Sequence, residues 1–349
     1  VAVLGGWWIA LVPLFAWPLF SLVDAVIGTT DANADPETPD RMLVWYRMLT
    51  LVWAPLQFVT VFGVIAYLTR SGHLATHEEL AVAFGMGVIS GTIGIVYAHE
   101  LVHQSPRIER LAGDVLMAMV LYSHFRSEHL LVHHRYVGTP KDAVTARYNE
   151  GFHRYFYRTL TGELPSALRA EKAMLARKGL SAWHRSNPFW FYAALQLGFL
   201  TLAFAIGGWW GVLLFMVQAF VAVWQLALVN YVEHYGLTRK YLGDGKYEPT
   251  RPHHSWNATH AGSNWLLINL QRHADHHTKP SRRYPLLQAG SEDDGPQLPY
   301  GYPVMTAAAM IPPLWRRRMN PRVRAWRKRY YPEITDWQPY TEMTNPLPR

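Results

Sequence analysis

Five long apolar blocks constrain the fold of this 349-residue chain more than any other feature. Each is close to the roughly 20 residues that an α-helix needs to cross the hydrocarbon core of a bilayer. Blocks this long, with so few charges, do not fit into one soluble core, so the sequence predicts an all-α integral membrane protein with a transmembrane helix bundle. The predicted spans are residues 3–23, 44–68, 79–98, 189–206 and 208–232.

The distribution of positive charge predicts how these spans are oriented. Of the 33 Lys and Arg residues, thirteen lie in residues 100–188 and seventeen in residues 233–349, and only Arg70 falls on the opposite side of the predicted bilayer. Five crossings place the two basic segments on one face, which the positive-inside rule identifies as cytoplasmic. We therefore expect a single membrane domain over residues 1–349, with a cytoplasmic cap formed by 99–188 and 233–349.

Three further expectations follow from this topology. The block 111–125 contains Asp114 and is too short to span comfortably, so it should lie in or against the membrane interface. The first residue would emerge on the outer face, and a parent protein with a cytoplasmic N-terminus would have a sixth span upstream. Residues 280–315 are rich in Pro, Gly and acidic residues without a helical period, which predicts an irregular part of the cap.

Composition excludes several kinds of site. Cysteine is absent, so the chain has no disulfide, thiolate metal site or iron–sulfur cluster. No G-x-G-x-x-G stretch indicates a flavin or nicotinamide site, and we expect no bound flavin or haem. The net charge of +8 is compatible with anionic lipid, nucleic acid or an acidic protein. Because no basic run is interleaved with aromatic residues, we expect the lipid bilayer and no nucleic acid as partner.

Nine of the 17 histidines fall in four local clusters on the predicted cytoplasmic side. Residues four apart on a helix lie about 40° apart, so each cluster can direct its imidazoles to one point. Imidazole binds Zn, Cu, Fe and Ni, and nine rings are too many for one ion, which predicts two ions with four or five histidines each. The clustered residues are His99 and His103 in HELVH, His129, His133 and His134 in EHLLVHH, His234 in NYVEHYGL, and His273, His276 and His277 in LQRHADHH.

A carboxylate adjoins each cluster and is a candidate support for a metal-bound ring. Ligating imidazoles usually donate their other N–H to such an acceptor, and an exposed carboxylate or a salt bridge to a nearby arginine is the alternative. Most other histidines are expected to have surface or packing roles, whereas His253 and His254 in RPHHSWN are weaker candidates for a substrate channel or ligand support. The candidate carboxylates are Glu100, Glu128, Glu233 and Asp275.

The stretch HELVH also matches the H-E-x-x-H pattern of zinc proteases. In that interpretation His99, His103 and one further ligand would hold zinc while Glu100 activates a water molecule. Such a site has no use for the seven other clustered histidines. A metal transporter would instead place its histidines along a path through the spans. An intramembrane zinc protease therefore remains only a minor alternative.

The four histidine segments, in this order and spacing, resemble the membrane-bound alkane 1-monooxygenases. This family belongs to the histidine-box diiron enzymes, together with fatty-acid desaturases and xylene monooxygenases. The segments RPHHSWN and LPYGYP are also similar to segments of that family. Two positions depart from its pattern: Gln104, where Lys is common, and Val132, where Gly is common. Neither departure removes a ligand, and Val132 bears on substrate range rather than on reaction type.

The resemblance implies that all nine clustered histidines bind two Fe ions and that O₂ is the co-substrate. The implied reaction is hydroxylation of the terminal methyl of a medium- to long-chain n-alkane, which gives a 1-alkanol. It also implies a bacterial inner membrane location with the active site on the cytoplasmic side, and electrons from rubredoxin, served by a rubredoxin reductase. A fatty-acid desaturase or hydroxylase of the same class is the alternative.

Two further sets of residues are candidates for roles in this reaction. An apolar substrate dissolves in the bilayer, so we expect a tunnel between the first three spans, with helix packing as the alternative role for its residues. The basic tail 315–332 is a candidate dock for rubredoxin, with a solvated or lipid-facing surface as the alternative. The tunnel candidates are Leu14, Phe15, Ala16, Trp17, Trp53, Gly87, Gly91 and Gly94, and the docking candidates are Arg316, Arg317, Arg318, Arg327, Lys328 and Arg329.

Overall fold

Helices form nearly all of the regular structure. The computed structural model describes residues 1–291 and 294–337, and within them the only sheet is a hairpin of β1 (Tyr241–Gly243) and β2 (Lys246–Tyr247). The all-α class expected from the sequence is confirmed. The helices are α1 (Gly6–Ile27), α2 (Asp40–Ser71), α3 (Thr76–His103), α4 (Arg107–Met119), α5 (125–136), α6 (Phe152–Arg177), α7 (Pro188–His234), α8 (Ala261–Leu266), α9 (His273–Thr278), α10 (Tyr302–Ala309) and α11 (Pro312–Tyr330).

Four of these helices, α1, α2, α3 and α7, are long and apolar enough to cross a membrane. They account for all five predicted blocks, because 189–206 and 208–232 both lie in α7, although α1 begins at Gly6 rather than at residue 3. This helix is interrupted between the two blocks, where Gly207 and Gly208 leave the helical conformation. Gly208 has φ 59° and ψ −150°, a combination that is essentially restricted to glycine. The break therefore divides α7 into two helical arms.

The two arms of α7 fold back on each other at this break. The ring of Phe62 in α2 lies 5.7 Å from Phe199 in the first arm and 5.5 Å from Phe215 in the second, measured between centroids. A straight helix would hold those two α7 residues about 24 Å apart. The arms also approach closely, since a Cβ added to Gly211 would lie 2.5 Å from the carbonyl oxygen of Ala203. Helix α7 therefore consists of two antiparallel arms.

The block 111–125 is not among the candidate spans. Most of it forms α4, which packs so closely on α3 that a Cβ on Gly113 would lie 2.8 Å from Val102. Asp114 is buried and forms an ion pair of 2.6 Å with Arg126 of α5. Asp114, which argued against a span, therefore has an ionic partner within the protein. The interfacial location of this block stays a prediction.

The cap packs onto the end of the second α7 arm through buried aromatic side chains. The ring of Trp315 in α11 lies 5.1 Å from Tyr231 and 5.3 Å from Tyr235. Residues 279–291 and 294–301 are irregular, as predicted, apart from a 3-10 turn at Tyr284–Leu286. In contrast, α10 and the start of α11 are helical where an irregular segment was expected. Pro303 and Pro312 lie in the first turns of these helices, where a missing N–H is tolerated. These two prolines therefore mark the starts of helices rather than an irregular segment.

Candidate metal centre

The nine clustered histidines converge on two neighbouring points. Within each group, one potential ligand atom per residue lies within 4.8 Å of every other. The first group draws on α3, α5 and α9, and the second on α5, α7 and α9, so several elements of the cap must be in place before either group exists. The first group is His99, His103, His129, His134 and His276, and the second is His133, His234, His273 and His277.

Distances between ring nitrogens fit the binding of a metal ion by each group. The Nε2 atom of His103 lies 2.9 Å from that of His129 and 3.2 Å from that of His134. In the second group the Nε2 atoms of His273 and His277 are 3.0 Å apart. Two nitrogens that bind one ion at about 2.1 Å and at right angles are separated by about 3 Å. Packing alone gives no reason for several rings to direct the same atom to one point.

Two of the nine Nε2 atoms in these groups are buried without a partner in the part of the protein that the structure describes. Within residues 1–291 and 294–337, Nε2 of His99 in the first group and Nε2 of His133 in the second have no hydrogen bond. Buried polar atoms are nearly always paired in folded proteins. A metal ion in each group would satisfy both atoms, so the donor set fits two ions.

An unusual turn explains how α5 contributes to both groups. Residues His129–His133 form a π-helical turn, which is wider than an α-helical turn. As a result His129 and His134, five residues apart, have Nε2 atoms 3.0 Å apart, whereas His133 belongs to the other group. The prediction that each sequence cluster directs all its rings to one point is therefore wrong for α5, because it assumed α-helical spacing.

The same division occurs in α9, so the one-point prediction is also wrong for this cluster, although α9 is α-helical. His273 and His277, one α-helical turn apart, belong to the second group, while Nε2 of His276 lies 3.1 Å from that of His134 in the first. The two groups are therefore adjacent, and the rings of His134 and His277 are 4.6 Å apart between centroids. Neighbouring residues of one short helix thus bridge the two candidate metal positions.

Burial keeps the rings of the cap in the form that binds metal. It lowers the pKa of five clustered histidines outside the membrane helices well below the usual value, and neighbouring imidazoles lower it further. Neutral imidazole has the free lone pair that a metal ion requires. The five residues are His129, His134, His273, His276 and His277.

Glu233 is the predicted carboxylate that lies beside a clustered histidine. Its Oε1 atom is 3.3 Å from Nδ1 of His273, and it accepts a hydrogen bond of 3.0 Å from the hydroxyl of Tyr302. Tyr302 comes from the segment LPYGYP and was not assigned a role from the sequence. The tyrosine holds the carboxylate beside the ring of His273, although Nδ1 of this ring makes no hydrogen bond within the described residues.

The other three predicted carboxylates have different surroundings. The Oε1 atom of Glu100 accepts a hydrogen bond of 2.9 Å from Nε2 of Gln104 rather than from a histidine. Asp275 forms an ion pair of 2.6 Å with Arg282 rather than with a histidine. Glu128 is buried, and burial raises the pKa of its carboxyl well above the usual value.

Asp142 is a support that the sequence analysis missed. Its Oδ2 atom lies 3.0 Å from Nδ1 of His133 and accepts a hydrogen bond of 2.7 Å from Thr145, while Oδ1 accepts one of 2.8 Å from the backbone N–H of Val144. The carboxylate is therefore fixed by its own turn before it meets the ring. It lies outside the four histidine segments, and its place in the turn TPKDAVT was the only signal in the sequence.

An apolar cavity connects the two groups with the membrane helices. It is lined by His99 and His129 from the first group and by His273 from the second, and it extends between α1, α3 and α7. None of the described residues that line it is Lys or Arg. The arrangement suits an uncharged, apolar ligand.

Three of the predicted tunnel residues, Ala16, Trp17 and Gly91, line this cavity. At Gly87, an added Cβ would lie 2.5 Å from the Cβ of Val221, so this glycine serves close helix packing. Two further candidates lie on the outer surface of α1, with about half of their side chains exposed. Leu14, Phe15, Trp53, Gly87 and Gly94 are therefore surface or helix-packing residues rather than cavity residues.

The predicted docking residues all lie on α11 but differ in exposure. The guanidinium of Arg327 lies 4.4 Å from the ring of Tyr148 and 4.7 Å from that of Trp337, and burial lowers its pKa to about 10. Arg316 and Arg318 are half-buried. The exposed members, which a partner can reach, are Arg317, Lys328 and Arg329.

His253 and His254 belong to neither group and do not line the cavity. Their Nε2 atoms lie 3.1 Å and 2.7 Å from the hydroxyl of Tyr331, which also hydrogen-bonds to Glu248. These contacts attach the end of α11 to the loop before α8. Both histidines therefore have a packing role.

Comparisons with known proteins agree with this site. The family model described as fatty acid desaturase matches residues 79–309, a range that contains all nine clustered histidines. The chain is 38% identical to alkane 1-monooxygenase 2 of Pseudomonas aeruginosa, over 95% of this chain and 88% of the relative. It is 40% identical to alkane 1-monooxygenase 1 of the same species, over 87% of this chain and 80% of the relative. The xylene/toluene monooxygenase hydroxylase component of Pseudomonas putida is 27% identical over 89% of this chain and 81% of the relative. The chain belongs to the alkane 1-monooxygenase family.

Proposed function

We propose that this protein uses O₂ to hydroxylate the terminal methyl group of medium- to long-chain n-alkanes, which gives 1-alkanols. The observation that carries the proposal is the apolar cavity, which runs from the membrane helices to both histidine groups. An n-alkane has no polar group and partitions into the bilayer. A cavity between spans therefore delivers it to the metal centre without passage through water.

We infer that the two histidine groups hold two iron ions. Nine neutral imidazoles supply the ligands, while Asp142 orients the ring of His133 and Glu233 lies beside that of His273. When bound, the ions would supply the activation of O₂, which no side chain can perform alone. Imidazole also suits zinc, so membership of the monooxygenase family, rather than ligand type, favours iron.

The protein's own contribution is to present only the chain end. Phe125 lines the cavity and stacks on His129, with ring centroids 4.7 Å apart and planes 14° apart. This contact fixes the ligand ring and narrows the approach beside it. Val132, the residue that departs from the family pattern, is buried but does not line the cavity. A linear hydrocarbon therefore reaches the metals with its terminal methyl first, and the apolar wall excludes water.

We propose that α1, α2, α3 and both arms of α7 cross the bacterial inner membrane, which gives five crossings in this chain. The antiparallel arms of α7 and the charge distribution support this topology. It places the histidine groups and the cap on the cytoplasmic side. Rubredoxin would then deliver electrons from the cytoplasm, and the exposed cations of α11 are complementary to an acidic partner.

The lining of the cavity also bears on the fatty-acid desaturase alternative. A fatty acid would bring a carboxylate, which needs a cation when it leaves water. The described lining contains no Lys or Arg and does contain the carboxyl of Glu233. A hydrocarbon without a charged end therefore fits better.

The direct test is a product assay with isotopically labelled O₂. The purified protein is supplied with rubredoxin, rubredoxin reductase, NADH and dodecane in a bilayer. We expect 1-dodecanol that contains one labelled oxygen atom and requires rubredoxin. An alkene as the main product, or an alcohol without label, would show that the proposed reaction is wrong.

A further inference from the structure

The cavity contains a few polar side chains, and their hydrogen bonds can be followed one by one. The hydroxyl of Thr92 donates to Oε1 of Gln225 at 3.0 Å, and that of Tyr302 donates to Glu233 at 3.0 Å. The hydroxyl of Thr306 donates to a carbonyl of its own helix at 2.7 Å. These polar groups are thus matched within the protein and do not require a ligand.

Asn230 differs from these residues. It lines the same cavity and is half-buried, but its side-chain amide makes no hydrogen bond within residues 1–291 and 294–337. An amide offers two donors and one acceptor. Because no protein group occupies these donors and this acceptor, the amide can bond to a polar group of a molecule in the cavity.

The position of Asn230 relates it to the metal centre. It lies one helical turn before His234, or about 6 Å along the axis of α7. Leu226, Val229 and Glu233 also line the cavity, and with Asn230 they form one face of the helix. The amide is therefore part of the wall near the end at which a substrate chain must react.

We propose that Asn230 binds the hydroxyl group of the 1-alkanol product. The inference rests on the proposed function, since an n-alkane offers this amide nothing to bond with. The reaction creates a hydroxyl at the chain end, in the same region of the cavity. A hydroxyl can accept a hydrogen bond from Nδ2 and donate one to Oδ1. The amide is thus matched only after the reaction, and Asn230 acts as a positioning residue for the product.

This role has a measurable consequence, because alkane and alcohol of equal length differ in one hydroxyl group. The amide should strengthen the binding of the alcohol and leave the binding of the alkane nearly unchanged. Comparison of both ligands in wild type and variant isolates the interaction of the amide with the hydroxyl, in the manner of a double-mutant cycle.

The test compares wild type with Asn230→Leu, a variant of similar shape without polar atoms. The inhibition constant of 1-dodecanol and the KM of dodecane are measured in the same bilayer preparation. We expect the inhibition constant to rise about fivefold, as for loss of one neutral hydrogen bond, while KM changes less than about twofold. Asn230→Gln retains an amide in the cavity and should restore tight binding of the alcohol. Iron content per chain verifies that each variant is intact.

Several outcomes would overturn the inference. If the two constants change in parallel in Asn230→Leu, or if neither changes, the hydroxyl does not bind to this amide. Should the leucine variant lose iron, Asn230→Ala removes the same amide and decides the question in the same way. Failure of the proposed function is distinguishable, because wild type would then form no 1-dodecanol from dodecane at all.

Discussion

The Nδ1 atom of His133 lies 3.0 Å from Oδ2 of Asp142, and both side chains are buried. A ring that donates its Nδ1–H to a carboxylate has a fixed tautomer and presents Nε2 as the ligand atom. Since Nε2 of His133 has no partner among the described residues, this contact directs a free ligand atom into the second group. The carboxylate is held in turn by Thr145 and the N–H of Val144.

Asp142→Asn should therefore weaken iron binding at the second group. We expect the affinity to fall about 10- to 100-fold, as is usual when the partner of a ligating histidine is changed. The measurement is the iron retained per chain as the concentration of a chelator rises. Asp275→Asn is the matched control, because its carboxylate pairs with Arg282 and not with a ligand ring. Equal loss of iron in the two variants would contradict this role of Asp142.

The cavity predicts a limit on substrate length. Ala16 lines its wall and packs against Val221, which lies about 20 Å along α7 from His234. Ala16→Phe should fill this remote end, so that turnover of hexadecane relative to octane falls about tenfold. Product formation from an equimolar mixture measures the ratio. Leu14→Phe, at an exposed position of the same helix, should leave it unchanged, and a similar shift in both variants would show that the cavity is not the substrate path.

The break in α7 predicts a cost in stability at one glycine. Gly208 has a positive φ of 59° with ψ −150°, and no other atom lies near its missing Cβ. Gly208→Ala should therefore destabilise the fold through the backbone alone, by about 1–3 kcal/mol. The unfolding midpoint Tm in detergent reports the change. Gly198→Ala, in the first arm and also without neighbours, is the control, and an equal fall of Tm in both would show that the break is not strained for alanine.

The exposed cations of α11 predict an electrostatic contact with the electron donor. Reversal of charge at Arg317 and Lys328 together, to Glu, should raise the KM for rubredoxin about tenfold at low salt. The difference should disappear at high salt, where exposed charges are screened. Arg70→Glu, on the opposite side of the proposed bilayer, is the control. If KM is unaffected by the double reversal or by salt, rubredoxin does not dock on this surface.

The sequence predicted the membrane framework because long apolar runs report directly on contact with lipid. The break at Gly207 and Gly208 also fell at the boundary between two predicted blocks. Residues 302–309 were missed because Pro303 was interpreted as part of an irregular segment. Local composition does not reveal whether a proline interrupts a helix or begins one.

The sequence identified the nine histidines of the candidate metal centre, but not their division into two groups. The assignment of His133 and His134 to different groups depends on a π-helical turn, which α-helical spacing does not reveal. Asp142 contacts the ring of His133, and Tyr302 hydrogen-bonds to Glu233. Both contacts arise from tertiary packing, which the local sequence does not reveal. Leu14 and Gly94 do not line the cavity, because the sequence reveals the position of a span but not the rotation of its helix.

His276 and His277 permit the most direct test of the account, because these neighbours belong to different groups. The measurement is metal content per chain, with dodecane hydroxylation, in wild type, His276→Ala and His277→Ala. The account predicts two irons in wild type, a loss of iron from a different group in each variant, and no 1-dodecanol from either. A single zinc ion per chain in active wild type, or full hydroxylation by either variant, would contradict a centre built from all nine histidines.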